Sequence, residues 1–547
     1  METAWKMRGA CSAGTLAMAA TLWGCGGGSG GPTPPEATIL ASVTVRDAAA
    51  TGPLASPADT SAGAADELGI AAGAPGAAAP DAVHGRKEIY GIVNLAPPPI
   101  YIARINARGQ ATFEYTALDD RLHVGFFDGA RVIDVNPPDA LVTTLGALND
   151  RGEVAAQIRF ARDPVPTPFQ PFRWTANGGR IMLATLNAEG DSFVTDINNF
   201  GEIVGASRTG PGDEPFRAVR WTAQNRLLPL PVPAGFGQSF TGDINERNVS
   251  VGAADDAAGH PHVLIWDADG RVTDLGTFGA TTAGPVAINN RGEIVGLLNA
   301  AAPDFQTFLF SPGQGAIRVG PATVATRLNE FGELVGRIVR PNDENHAFLF
   351  SRKRGLVDLH PPQFILSEAG DINDSGTVVG LIRRAGDAGT RAFRWSRAGL
   401  GADLNTLLKD APAGLVLTHS LRISANGDIL SNSNVGLVLL RPGGGGTDAP
   451  VLGPIRIGAA LANQPARLTL SFRDRNGHDT HTATIDWGDL GGAQPARVRE
   501  SRGRGEVSAA HTYAARGSYA VVVRVADSGG KTTFVRQLVA VSDQDAQ

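Results

Sequence analysis

The side chains that could do chemistry in this chain are few and scattered. Only two cysteines occur in 547 residues, Cys11 and Cys25, both near the start, so no disulfide framework can hold the body together. Glu153, Glu202, Glu293 and Glu333 each follow a glycine in a recurring phrase, a position that reads as hairpin surface. Asp371-Ile372-Asn373-Asp374-Ser375-Gly376 alternates oxygen donors as a calcium loop does. Other copies of that stretch place Arg, Phe or Ala where a ligand should stand, and the trailing acidic ligand is missing, so it reads as a turn. His478-Asp479-Thr480-His481 has ligand types, but two His three apart on a strand point to opposite faces. There is no His-Glu-x-x-His helix, no Gly-x-Ser-x-Gly elbow and no Gly-Lys-Ser/Thr phosphate loop. The expectation is no catalytic residue, no metal, no cofactor, and a protein that is not an enzyme; the alternative is a glycan-active hydrolase or lyase whose carboxylates come together only in space.

Cys25 is the exception that points somewhere. Lys6 and Arg8 precede an apolar run from Gly9 to Trp23, which Leu22-Trp23-Gly24-Cys25 closes. About 15 apolar residues fall short of the roughly 20 that cross a bilayer. The segment resembles a bacterial lipoprotein signal with its lipobox. That resemblance implies removal of residues 1–24, a diacylglycerol on Cys25, and a lipid-anchored protein of the outer membrane or cell surface; ordinary secretion is the alternative. Residues 25–85 are mostly Gly, Ala, Pro, Ser and Thr and read as a flexible tether, with Thr38–Val45 as one isolated strand.

A net charge of −6 without long like-charge blocks argues against a nucleic-acid partner. The partner left open is a protein or carbohydrate, and a monomer is expected. With 42% hydrophobic residues the chain can build a core, and its 69 Gly and 35 Pro announce many turns.

What must position any site is a repeat. An aliphatic residue, Asn, two variable residues, Gly and a short apolar strand usually ending in Gly recur about eight times, as in Ile197-Asn198-Asn199-Phe200-Gly201-Glu202-Ile203-Val204-Gly205. The copies begin at Ile105, Leu148, Ile197, Ile244, Ile288, Leu328, Ile372 and Ile423, spaced 40 to 51 residues apart. Asn248 replaces the Gly in one and Ser424 the Asn in another. Four apolar segments fill each period, which is the content of a β-propeller blade. Phe172-Arg173-Trp174, Val219-Arg220-Trp221, Leu264-Ile265-Trp266 and Phe393-Arg394-Trp395 mark a third strand. Its alternation sends the large residues to one face and Arg173, Arg220 and Arg394 to the other, where they read as inter-blade or solvated groups.

These phrases resemble the bacterial extracellular HAF repeat over residues 86–442, with the family's Asp-Leu-Gly ending at Asp274-Leu275-Gly276. The resemblance implies an all-β propeller in a cell-envelope or secreted setting and no reaction. The last copy lacks a fourth strand, while Glu88–Val93 precedes the first copy without a turn of its own. An N-terminal strand completing the final blade gives about eight four-stranded blades, with seven as the alternative.

Gly443 to Gly446 open a linker, residues 443–451, beyond which the pattern changes. Asp486-Trp487-Gly488-Asp489, His511-Thr512-Tyr513, Gly517-Ser518-Tyr519 and Ala526-Asp527-Ser528-Gly529-Gly530 resemble the PKD domain. That implies an immunoglobulin-like β-sandwich over 452–542, with Trp487 and Tyr513 in its core and Asp486 and Asp489 on turn amides. The glycine hinge predicts few contacts between the two modules.

Overall fold

Each copy of the phrase becomes the tight turn between the first two strands of a four-stranded antiparallel sheet, and eight such sheets form the ring of a β-propeller. The computed structural model describes residues 89–542 apart from 99, 118, 163–164, 301–304, 342–343, 410, 444–448 and 490. The signal segment with Cys25, the tether, the Thr38–Val45 strand and most of the glycine linker lie outside the described residues. Among the described residues no helix is long and apolar enough to cross a membrane.

Blade 1 runs from Ile100–Ile105 to Val132–Asp134, blade 2 from Ala140–Leu148 to Gly179–Met182, blade 3 from Ser192–Ile197 to Leu227–Pro229 and blade 4 from Ser239–Ile244 to Val272–Gly276. Blade 5 spans Ala283–Ile288 to Gly315–Pro321, blade 6 Thr323–Leu328 to Gly355–Asp358, and blade 7 Leu366–Ile372 to Gly401–Asp403. Blade 8 takes three strands, Leu417–Ile423, Ile429–Ser433 and Gly436–Pro442, from the end of the repeat region and its outermost strand, Tyr90–Ala96, from the front. Tyr90 pairs with Pro442 and Ile92 with Leu440 in antiparallel register, so the ring closes as the missing fourth strand implied. The alternative of seven blades is set aside.

The glycine that ends the phrase has a steric cause. A Cβ on Gly205 would lie 1.9 Å from the Phe193 carbonyl oxygen, and on Gly380 1.9 Å from that of Glu368. The innermost strand bulges beside these glycines, as between Val194 and Asp196 and between Ala369 and Asp371. Such a bulge re-aims the next side chain. Between blades lie the third-strand aromatics: Trp221, Trp266 and Trp395 are fully buried and Trp174 nearly so.

Beyond the propeller, eight of the nine strands from Val451 to Ser542 share one hydrogen-bonded path, and the ninth, Arg456–Ile457, pairs beside it with Pro465–Arg473. Gln494–Ser501 joins its halves, pairing first with His481–Asp486 and then with Arg504–Thr512. The expectation of few contacts between the modules is corrected. Tyr90, Leu404, Leu407 and Leu415 of the propeller share one apolar cluster with Leu452, Ile455, Leu468 and Leu470. Asn94 donates to the Leu452 carbonyl at 3.3 Å, and Arg536 reaches Asp120 on blade 1 at 2.7 Å. A glycine-rich link says nothing of the apolar loop between blades 7 and 8, where Leu407 and Leu415 lie.

Candidate functional site

The Asn of the phrase works twice. Within its turn, the Asn198 Oδ1 accepts the amides of Phe200 and Glu202 at 3.1 and 3.0 Å, while Gly201 supplies the positive φ of 83°. Its Nδ2 then donates to the carbonyl of the corresponding Asn in the next blade. This link runs from Asn106 to Asn149 at 3.0 Å, from Asn149 to Asn198 at 3.0 Å, and so on to Asn373, which donates to Ser424 at 3.1 Å. Ser424 has no amide to pass on, and Asn426 closes the circle on the Ala107 carbonyl at 2.6 Å. The residue after the Asn forms a second series of links, open between blades 7 and 1 where Ala425 and Ala107 carry no acceptor side chain. Asp150 accepts the Ala107 amide at 2.8 Å, Asn199 that of Asp150 at 2.7 Å, and Asp374 that of Glu330 at 2.9 Å. The phrase is therefore a blade-to-blade clasp around one mouth of the channel, where Asn106, Asp150, Asn199 and Glu246 line a cleft of ≈ 250 Å³.

Just inside this mouth sits the residue before the aliphatic one. In blade order it is Arg104, Ala147, Asp196, Asp243, Ala287, Arg327, Asp371 and Arg422. Six of these eight positions carry charge, and they face one another around the channel. Arg104, from blade 1, lies close enough to Arg327 of blade 6, Asp196 of blade 3 and Asp371 of blade 7 for each to act on its charge. The ring is polarised: Asp196 and Asp243 share one side, and the three arginines the other, with Asp371 3.7 Å from the Arg327 Nε. The acids are fixed by backbone, since Asp196 accepts the Ile244 amide at 3.1 Å and Asp371 the Ile423 amide at 3.0 Å.

Burial governs the electrostatics. It holds Asp196 well above the ordinary carboxylate range, and the Asp243 charge and a hydrogen bond between the two carboxyls push the same way. Burial and the Arg327 charge lower Arg104 to about 10, and burial with Arg327 and Arg104 holds Arg422 well below the usual guanidinium value. His419, also within blade 8, is lowered to about 4 by burial and Arg422 and is a neutral imidazole at pH 7.

Glu114 gives the clearest pH test. It is 4% exposed, accepts the Leu145 amide at 2.6 Å, and is raised by burial to about 7. The unfolded carboxyl titrates near its ordinary 4.5, so between pH 4.5 and about 7 the folded state binds the extra proton. This group's contribution to stability is therefore lost as pH rises through that window. Glu114→Gln keeps the amide acceptor and should be more stable than the parent at pH 8, by on the order of 2–3 kcal/mol, and equal to it near pH 4. Urea midpoints at the two pH values check this; a constant difference would be wrong for a titrating group.

Of the residues singled out from the sequence, Asp371, the first of the calcium-loop-like stretch, stands in this ring, and the others fall outside it. Arg173 bonds the Gly201 carbonyl of the next blade at 2.7 Å and Arg220 that of Ala268 at 3.0 Å, so both are inter-blade groups, as expected. Arg394 donates to the Tyr90 hydroxyl at 2.7 Å. The four glutamates are not open hairpin surface. Glu333 is buried and accepts Asn329 and Arg397, and Glu153 accepts Asn149 and Arg151. The carboxylates of Glu153, Glu293 and Glu333 meet the clasp amides and that of Glu202 the Ala223 amide, which leaves Glu333 buried and the other three half-buried. Asp374 is the last acceptor of the second series. His481 is buried between Asp474 and Glu500, whose hydrogen bonds outweigh burial and raise its pKa. Asp474, Asp479 and Asp527 offer oxygens within 4.8 Å of one another, but Asp474 and Asp479 already hold His481 and Ser528. Sequence reading missed the channel ring, although aligning the eight copies and reading the column before the aliphatic residue would have exposed it.

No family model and no curated protein matches the chain. Solved structures do. A TolB from Acinetobacter baumannii matches at 12% identity over 43% of this chain and 58% of its own, with a TM-score of 0.28. A puromycin-hydrolyzing peptidase of Mycobacterium tuberculosis matches at 11% over 66% and 56%, TM-score 0.38. Prolyl oligopeptidase B from Galerina marginata matches at 9% over 71% and 56%, TM-score 0.37. The chain thus spans between 56% and 58% of the length of these three structures. No activity is carried over from them. The expectation that the protein is not an enzyme is nevertheless corrected: peptidases stand among the matched structures, and the channel gathers carboxyls that motif searching could not see.

Proposed function

We propose that this chain is a cell-envelope propeller protein, anchored through a lipid on Cys25, that takes a protein or carbohydrate ligand at the channel mouth. The observation that carries this reading is the ring of charge at one repeat offset. Framework positions of the phrase stay constant from blade to blade, whereas this column varies among Arg, Asp and Ala and lies one residue below the lining of the mouth cleft at Ile105, Ile197 and Ile423. A rigid scaffold with variable groups at one end is how repeat folds bind. The remaining 452–542 module we read as the PKD-like, immunoglobulin-like sandwich, supported by buried Trp487 and Tyr513 and by the bond from the Tyr513 hydroxyl to the Trp487 carbonyl at 3.3 Å. It serves as spacer or second binding surface.

Two experiments test this. Cys25→Ala should move the protein from the membrane pellet to the soluble fraction; a mutant that stays in the pellet refutes the anchor. Asp196→Asn with Asp243→Asn should abolish retention of the protein on envelope polysaccharide without lowering the melting temperature, and undiminished retention would refute the channel site.

A second reading has its own support. The paired carboxyls of Asp196 and Asp243, with Asp196 held by burial well above the ordinary carboxylate range, are equipment for general acid–base work on a glycan, as a hydrolase or lyase uses it. Turnover of polysaccharide that disappears in the Asp196→Asn chain would establish it.

A further inference from the structure

The arginine half of the channel is short of partners. Each guanidinium has five N–H donors, and among the described residues each spends one on the carbonyl just before it in its own strand. Arg104 donates to Ala103 at 3.3 Å, Arg327 to Thr326 at 3.3 Å and Arg422 to Leu421 at 2.7 Å. The Arg422 Nε is buried and has no partner among the described residues. Asp371 is the acid common to all three arginines, with Asp196 and Glu114 acting on Arg104 as well, and its oxygens also hold the amides of Ile372 and Ile423. Clustered, half-desolvated guanidiniums of this kind match the planar fork of a carboxylate.

The opposite wall sets the rest of the ligand. Asp196 and Asp243 offer carboxyl oxygens to hydroxyl groups, and the cleft above, at ≈ 250 Å³, suits one small ring rather than a folded partner. The mouth outside carries Asp150, Glu246 and Glu330, so a polyanion has no path along the rim and the anionic group must lie deep.

From this geometry we infer that the channel seats a uronic acid residue, its carboxylate on Arg104, Arg327 and Arg422 and its hydroxyls on Asp196 and Asp243. The inference rests on the reading of the channel as a ligand site and names its chemical class.

The test uses the full chain, with D-galacturonate, D-glucuronate, neutral D-galactose and inorganic phosphate as probes in calorimetry. At least one uronate should bind saturably, and about tenfold or more tighter than galactose, the worth of one charge-assisted contact. Phosphate should compete with it more weakly. Arg422→Gln should lose uronate binding by a similar factor and raise the melting temperature of the ligand-free protein, because a like charge is removed. Arg422→Lys, which keeps the charge but not the fork, should recover part of the binding. If galactose binds as well as the uronates and Asp196→Asn removes both, the channel remains a ligand site and the anion assignment is wrong. Should phosphate alone bind, the ligand is a tetrahedral oxoanion and the sugar assignment is overturned. A lowered melting temperature in Arg422→Gln with unchanged uronate affinity would make the arginines structural, and no binding by any probe would remove the inference altogether.

Discussion

A chain lacking residues 90–96 should lose the greater part of the propeller's stability. The strand is remote in sequence from everything it holds, yet Tyr90, Ile92, Val93 and Leu95 are each at most 5% exposed. Burying side chains of this size is worth about 1.5–3 kcal/mol each, so the four together contribute on the order of the 5–15 kcal/mol by which whole domains are stable. The strand also ties three neighbours. Tyr90 donates its amide to the Leu407 carbonyl at 2.9 Å, accepts the Lys409 amide at 2.8 Å, and takes the Arg394 guanidinium on its hydroxyl at 2.7 Å. Without it, Gly436–Pro442 becomes an open edge and the Leu404 to Leu415 cluster faces water. Calorimetry should show a large fall in melting temperature, and gel filtration should show association through the open edge. A synthetic peptide covering residues 86–98, added in trans, should restore much of the loss by adding back the strand. An unchanged melting temperature would mean that blade 8 does not close the ring.

How much of this was legible follows from what repeats. The Asn and Gly of the turn are dictated by backbone geometry that every blade shares, so they recur and announce the architecture. Even the orphan strand at Tyr90 could be placed, because an even ring needs a fourth strand where the last copy had none. The channel ring was illegible for the opposite reason. Arg104, Asp196 and Arg422 occupy one structural position with unrelated side chains, and in a linear reading such a column is noise. It becomes a site only when the innermost strands, bulged beside this position in the blades of Asp196 and Arg422, turn the column inward and the ring closes its members on one another. The glutamates after the turn glycine misled in a related way. Glu333 looks like a surface hairpin residue, and only the next blade, with Asn329 and Arg397 beside it, shows that its carboxylate is buried. The docking of the C-terminal strands was hidden because its apolar partners, Leu404 to Leu415, sit in a connection between blades rather than in any repeat element.

Truncating a third-strand tryptophan should be the most damaging single substitution. Trp221, Trp266 and Trp395 are each 0% exposed. Each also anchors its blade to the one before it. The Trp221 Nε1 donates to the Ala184 carbonyl at 2.7 Å, that of Trp266 to Pro231 at 2.6 Å and that of Trp395 to Leu359 at 2.9 Å, all three acceptors lying just past the outermost strand of the preceding blade. Tryptophan to alanine at these positions removes a large ring from a sealed interface and leaves a buried carbonyl without its donor. Aromatic core deletions cost about 3–5 kcal/mol, and the orphaned carbonyl adds about 1–3 kcal/mol. Trp221→Phe separates the two contributions, because it keeps most of the apolar volume and loses only the N–H; its cost should be the smaller share. Trp174 is the internal control, since its 7% exposure and less complete enclosure predict a milder loss. Urea denaturation of the four alanine variants should rank Trp174→Ala as the least destabilised. The ring stacks its blades face to face, so an interface weakened at one joint is weakened for the whole circle, and the unfolding transition should stay single while its midpoint falls. Two separate transitions would mean that blades on either side of the joint melt independently, and that closure does not couple them.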